Sequence, residues 1–244
     1  MVRHEEVSDD LRAKILDGTY PAGKPLPHSQ LLAIEHGVSL STVSQALATL
    51  KAEQLVIRHA AEGMIVQPPL TVVDLVLHGP HGHGPLPWAK CCERSGTEGA
   101  MVTGKVATSK AAPDLAVLLG VDVGDEVITR NRRATIGDTV VRLDEAIYPH
   151  RLVHDTPLTR RGQVPGGVYR ALASAGLEPH KVVRRVIANR QATDAEAKAL
   201  RLVRRALVLT YEQVIADREG TRIELMRFVA NPARIRFVDE QVAL

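Results

Sequence analysis

Aromatic residues are scarce in this 244-residue chain, which has two Phe, one Trp and four Tyr, 3% in all. Its cores must therefore be packed from Leu, Val, Ile and Ala. Cysteine is confined to the adjacent pair Cys91-Cys92. Neighbours bridge only in a rare strained ring, so a disulfide framework is excluded and both thiols are expected reduced and partly buried. No apolar run approaches the roughly 20 residues a helix needs to cross a bilayer. The N-terminal MVRHEEVSDD is polar, so neither a signal peptide nor a membrane partner is expected, and a cytoplasmic location is. Also missing are GxGxxG, a Walker loop, GxSxG, HExxH and any obvious acid/base pair of carboxylates. Nothing supplies a nucleotide cradle, an activated nucleophile or a metal-bound water. The expectation is a protein that is not an enzyme and has no cofactor. His78, His81 and His83 lie in a Gly/Pro-rich stretch without preorganised geometry or a Cys or carboxylate beside them. They are read as a solvated loop, and no metal site is assigned.

What the chain does have is length for two domains and a hydrophobic content of 45% to fill them. Its organising stretch runs from Val7 to Gln67. Leu11, Ile15 and Leu16 share a helical face that Asp17-Gly18 closes. Thr19 to Pro27 holds three prolines and a glycine, a direction-setting turn. Leu31, Leu32 and Ile34 mark a short helix ending at His36-Gly37, and Ser39 or Ser41 can cap the next, with Val43, Ala46, Leu47 and Leu50 inward. Leu55-Val56-Ile57 and Met64-Ile65-Val66 read as two strands of a small wing. Two short helices joined by a glycine-bearing turn, the second opening with small polar residues, form the helix-turn-helix pattern; a helical subdomain without a DNA role is the plain alternative. Charge divides unevenly: residues 1–69 balance to −2 and the remainder to +5, within a net +3. Attraction to phosphates from the first part should be modest.

Gln67-Pro68-Pro69 ends this domain at residue 69, residues 70–87 serve as a linker that includes a short apolar strand candidate (Leu70 to Leu77), and 88–244 form the second domain. There, helices are expected at Trp88–Arg94, Pro113–Leu119, Gly166–Ala175 and Asp194–Leu202. Strands are expected at Gly99–Thr108, Glu126–Ile136, Thr139–Tyr148, Lys181–Arg190, Ala206–Ala216, Ile223–Val229 and Arg234–Val238. Gly137-Asp138 is the strongest hairpin signal. Short helices among hairpin-linked strands imply an α+β fold with a largely antiparallel sheet.

The first stretch, through Ile15-Leu16-x-Gly18, Pro21-x-Gly23, Leu26-Pro27, Leu32-Ala33, Val38-Ser39, Thr42-Val43, Ala46-Leu47, Leu50, Leu55, Gly63 and Val66, resembles the N-terminal winged helix-turn-helix of GntR-family transcription regulators. Three positions where that family usually carries arginine hold Gln30, Leu40 and Ser44. The resemblance implies binding of a double-stranded DNA operator as a homodimer. Candidate contacts are Gln30, Ser39, Ser41, Thr42, Ser44 and Gln45, with Lys51 at the helix end and Arg58-His59 on the wing.

From Trp88 onward, the glycine-bearing strand, the small helix ending Leu119-Gly120-Val121, Gly124-Asp125-Glu126-Val127, an Arg-rich strand and Ile147-Tyr148-Pro149 resemble the UbiC transcription regulator-associated (UTRA) domain of the HutC subfamily, whose fold is chorismate-lyase-like. This resemblance implies a small-molecule effector held between sheet and helices. Its candidate site is Arg130 and Arg132 on one strand face, gripping an anionic group bidentately, with Glu145, Gly167, Tyr169 and Glu224. Gly166-Gly167 stands where the family often has a serine, its amides suiting an anion at a helix start. Asp144 and Glu145 are equally read as cross-strand ion-pair partners of Arg130 or Arg132. The implied function is a ligand-responsive regulator, a repressor released from an inverted repeat. The alternatives are an effector-binding protein whose DNA-binding domain has degenerated, and a chorismate-lyase-like enzyme.

Overall fold

The computed structural model describes residues 3–59, 62–67, 71–77 and 86–239. The histidine-bearing stretch and Pro68-Pro69 lie outside them. The chain divides into two compact units, Met1–Leu70 and Thr71–Leu244.

In the first unit, helix α1 (Arg3–Leu16) begins four residues before its sequence signal. Helices α2 (Ser29–Glu35) and α3 (Leu40–Ala52) are joined through Gly37, whose φ of 61° suits the tight turn. Ser39 caps α3 by accepting from the Thr42 amide at 3.2 Å. Strands β1 (Val56–His59) and β2 (Gly63–Val66) pair antiparallel as the wing. The proline-rich loop lies along β2, with the Leu26 amide donating to the Met64 carbonyl. The core is aliphatic, as the scarcity of aromatics requires: Val7, Leu11, Leu26, Leu32, Val43, Ala46, Leu47, Leu50, Val56 and Val66 are buried together. Each such leucine or valine stabilises by roughly 1.5–3 kcal/mol. Ion pairs brace the outside: Arg12 grips Glu53 at 2.6 and 2.8 Å, tying α1 to the end of α3, and Lys14 reaches Glu35 at 2.7 Å.

The second unit is built on a six-stranded antiparallel sheet. In chain order its elements are β3 (Val73–Val76), α4 (Trp88–Arg94), β4 (Gly99–Lys110), α5 (Pro113–Leu119), β5 (Glu126–Ile136), β6 (Thr139–Pro149), α6 (His150–Val153), a 3-10 turn (Pro157–Thr159), α7 (Val168–Ser174), β7 (Lys181–Gln191), α8 (Asp194–Ala199), β8 (Leu207–Ala216), β9 (Arg222–Ala230) and β10 (Ile235–Val238). The sheet order is β4-β5-β6-β9-β8-β7. Within the stretch read from sequence as a linker with a strand candidate at Leu70 to Leu77, residues 73–76 form a parallel pair with β10. The α+β class and the largely antiparallel sheet agree with the sequence reading; α6 and the 3-10 turn lacked a periodic signal.

Helices cover both faces. On the first face α4 and the β3–β10 pair pack on Ala134, Tyr211, Phe228 and Ala230. Farther along that face α6, the 3-10 turn and α7 cover Ile128, Ala146, Tyr148 and Ile215. The second face carries α5 over Val127, Ile147, Val214 and Leu225, and α8 near Leu143, Val208 and Val229. Cys91 and Cys92 are buried in α4 and free, and burial pushes the Cys92 thiol up to about 11.

The β5–β6 hairpin contains the decisive irregularity. Ile136 pairs with Thr139 and Thr135 with Val140, as a two-residue turn requires, but Ala134 pairs with Arg142. Val141 is therefore an extra residue, a bulge that shifts every later pair by one. Arg132 consequently lies opposite Asp144, and Arg130 opposite Ala146.

Candidate functional sites

Val43, Ala46, Leu47 and Leu50 turn one side of α3 into the core. The opposite side presents Leu40, Ser41, Ser44, Gln45, Ala48 and Lys51, all exposed, and Gln30 is exposed on α2. Ser39 and Thr42 are used differently from their neighbours. Their hydroxyls are 2.9 Å apart, and Ser39 is the helix cap. Arg58 and His59 are exposed on the wing, where His59 lies 3.8 Å from Glu62. Leu40 and Ala48 were not among the sequence candidates; the phase of Ala48, out of step with the buried positions, was legible, whereas Leu40 lies in the phase of Leu47 and only the structure shows it exposed. Of the unit's cations, Arg12 and Lys14 are tied to carboxylates, Arg12 to Glu53 and Asp9 and Lys14 to Asp10 and Glu35. Asp10, Glu35 and His36 come close enough to hold a metal ion, but the Lys14 ammonium lies 2.9 Å from Asp10 and 2.7 Å from Glu35 and supplies that positive charge itself.

In the second unit the sequence-derived effector residues separate. Arg130 is 2% exposed. Its Nη1 donates to the carbonyls of Leu158 (2.7 Å) and Arg160 (2.6 Å), and its Nη2 to that of Gly162 (2.7 Å). The two Nη groups pin the loop after the 3-10 turn, and with only Nε unbonded among the described residues no two-pronged grip is left for an anion. Glu145 is on the second face, because the Val141 bulge places Asp144 rather than Glu145 beside the arginines. There it lines an open cleft of about 610 Å³ with Asn131, Glu212 and Arg227. The Gly167 amide donates to the Val164 carbonyl at 2.9 Å, so it is not an open anion donor.

Arg132, Tyr169 and Glu224 do come together on the first face. The Arg132 side chain is 16% exposed, its Nη2 lies 3.2 Å from the Met226 sulfur and 3.7 Å from Asp144, and its Nε has no hydrogen-bond partner among the described residues. Asp144 is itself held bidentately by Arg142 at 2.6 and 2.9 Å, and Arg142 stacks between Trp88 and Phe228. That pair is architectural. Glu224 is buried and accepts from the Tyr148 hydroxyl at 2.6 Å. Burial raises its carboxyl above the usual range, against the opposing pull of Tyr148, Arg132 and Tyr169. Burial likewise raises the Tyr169 phenol, reinforced by Glu224.

Beside this group lies a residue the sequence reading missed. Gln213 is fully buried opposite Met226 on the adjoining strand. Its Oε1 accepts from Arg185 Nε at 2.9 Å and from the Tyr211 hydroxyl. Gln213 Nε2, Arg185 Nη2 and Arg132 Nε are buried donors without a hydrogen bond among the described residues. Buried donors are ordinarily satisfied, so this row suits a ligand rich in acceptors. Its strand parity with Tyr211 was the available signal.

A winged helix-turn-helix in one unit and a helix-covered sheet with a buried polar group in the other define a two-module DNA-binding regulator. Residues 3–66 match the family described as bacterial regulatory proteins, gntR family, and residues 101–236 match the UTRA domain. The chain belongs to the GntR family of bacterial regulators, in the branch that carries a UTRA domain; that architecture fits the HutC subfamily. It is 27% identical over 236 residues to the HTH-type transcriptional regulator RB1450 of Rhizobium meliloti (strain 1021), covering 95% of this chain and 92% of the relative. Among solved structures, PhnF from Mycobacterium smegmatis shares the fold at a TM-score of 0.57 and 22% identity, covering 98% of this chain and all of that one. The separate effector domain of PhnF matches at a TM-score of 0.56 and 22% identity over 64% of this chain and 95% of that one. The family defines a ligand-responsive DNA-binding transcription regulator. Among the described residues no helix is long and apolar enough to cross a membrane.

Proposed function

We propose that this regulator is a cytoplasmic repressor without enzymatic activity. It binds an inverted-repeat operator as a homodimer and is released by a small acceptor-rich effector bound at Arg132, Tyr169, Glu224 and Gln213. The observation that carries the effector site is Arg132, a buried cation whose near neighbours are a thioether sulfur and a carboxylate already claimed by Arg142. A largely buried cation with an unbonded Nε donor is costly, and such sites are kept for ligands. Two-fold symmetry would set the two α3 helices about one DNA turn or a small multiple apart. Effector binding can weaken operator binding only by its difference in affinity between the DNA-bound and released states.

The first test is selection of duplexes from a random pool by the full-length protein at two salt concentrations, followed by a carboxylate and phosphate-ester library in a thermal-shift assay. An enriched inverted repeat, and a stabilising compound whose effect disappears in Arg132→Ala while operator binding persists, would support this reading. Lack of any enrichment at low salt would favour a second reading, an effector-binding protein with a degenerate DNA-binding unit. The acid excess of that unit and its two carboxylate-bound cations motivate it. Turnover of any library compound would revive the enzyme alternative.

A further inference from the structure

The outward stripe of α3 has a chemistry that selects among base pairs. At 100° per residue, Leu40, Lys51, Ser44 and Ala48 fall within an arc of about 80°, and Ser41 and Gln45 continue it on the side away from the core. Leu40 is the first helical residue after the Ser39 cap and is 52% exposed. The unit's aliphatic core closes without it. A single exposed leucine is ordinary; this one is informative because of its position and companions. In a helix-turn-helix the N-terminal residues of the second helix meet base edges. No guanidinium lies anywhere on the stripe, and its single cation, Lys51, is eleven residues, about 16 Å, from Leu40.

Guanine is read chiefly by Arg or Lys reaching O6 and N7. Roughly the first two and a half turns of α3, Leu40 to Ala48, offer no such group. They offer a large apolar side chain at Leu40, a methyl at Ala48, hydroxyls at Ser41 and Ser44, and a carboxamide at Gln45. Apolar groups pack on the thymine C5 methyl, and a carboxamide pairs with adenine N6 and N7. We propose that this protein reads its operator half-sites through A·T pairs, with Leu40 packed on a thymine methyl and Gln45 bonded to an adenine. The inference rests on the DNA-binding reading of the unit and specifies what that unit recognises.

The test uses the full-length protein and the half-site recovered by duplex selection. Each thymine is replaced in turn by uracil, which deletes only the C5 methyl. The expected result is a half-site dominated by A·T pairs in which one uracil replacement weakens binding about fourfold, the effect of burying one methyl. Leu40→Ala, an exposed substitution outside the core, should bind the thymine and uracil duplexes equally. Gln45→Ala should lose about tenfold discrimination between A·T and G·C at a second position. Invariant guanines in the recovered half-site, or indifference of the wild-type protein to every uracil replacement, would overturn the inference while leaving operator binding intact. Failure to enrich any sequence would remove the DNA-binding reading and this inference with it.

Discussion

Two arginines two residues apart on β5 should respond unequally to truncation. Arg130→Ala removes the donor for three backbone carbonyls, those of Leu158, Arg160 and Gly162, at a site only 2% exposed. Hydrogen bonds to a charged donor contribute about 1.5–3 kcal/mol each. They do not add, because one side chain makes all three and its desolvation offsets part of the gain. A net loss of about 3–5 kcal/mol follows, or on the order of 10 °C in the melting temperature of a unit this size. Arg132→Ala breaks only a 3.7 Å approach to an Asp144 carboxylate that Arg142 already holds, and leaves Glu224 without its cationic neighbour, so a smaller loss of about 1–2 kcal/mol is expected. Differential scanning calorimetry on the two variants and on Arg130→Lys checks this. Lysine keeps the charge but cannot reach three carbonyls with a planar fork, so it should recover less than half of the loss. Equal losses in Arg130→Ala and Arg132→Ala, or a negligible one in Arg130→Ala, would refute the division into a loop clamp and a ligand-facing arginine.

The pH dependence of the effector site has a definite sign. Burial raises the Glu224 carboxyl above its ordinary 4.5, so the folded protein holds that proton more tightly than the unfolded chain. The stabilisation is present in acid and is lost as pH rises from about that ordinary value through the raised folded value. Glu224→Gln should therefore melt higher than the wild type at pH 8 and converge with it toward pH 4; a lower melting point at pH 8 would mean that attraction to Arg132 outweighs desolvation. Gly99→Ala should be severe, since an added Cβ would meet Cys92 Sγ at 2.2 Å, Trp88 Nε1 at 2.7 Å and the Thr135 carbonyl at 2.8 Å. A loss of about 2–3 kcal/mol is expected, with a red shift in the emission of Trp88, the chain's single tryptophan. Ser39→Ala removes the α3 cap and should cost the first unit about 1 kcal/mol, read by circular dichroism at 222 nm, with Ser39→Asp restoring most of it.

How legible the molecule was from its residues depended on how far apart the interacting residues lie. The helix Pro113–Leu119 has its proline at the start and Gly120 in the left-handed conformation at its end, both local rules, and its bounds were readable. The hairpin turn at Gly137-Asp138 and the Ser39 cap and inward period of α3 were equally local, whereas of the apolar face expected on α2 only Leu32 is buried and Leu31 and Ile34 are exposed. The polar group on the sheet was less so. Arg132, Tyr169 and Glu224 lie on three separate elements, and it was a family resemblance rather than spacing that joined them. Gln213 shares strand parity with Tyr211, but its facing partners, Arg185 and Met226, come only from cross-strand pairing.

The sequence by itself determined the two-unit organisation, the winged helix-turn-helix, the α+β character of the second unit and the composition of its cores. These follow from periodicity, capping and turn chemistry acting over a few residues. Tertiary structure alone decided which side chains are free to act. Continued from its two-residue turn, a regular β5–β6 hairpin would set Glu145 opposite Arg130; the single extra residue at Val141 turns Glu145 to the other face and brings Asp144 to Arg132. Likewise Arg130 is spent on carbonyls some thirty residues away, and residues 73–76 find their partner at the far end of the chain. Register and long-range closure are properties of the assembled sheet, set by the summed packing of both faces, and no local stretch of sequence fixes them.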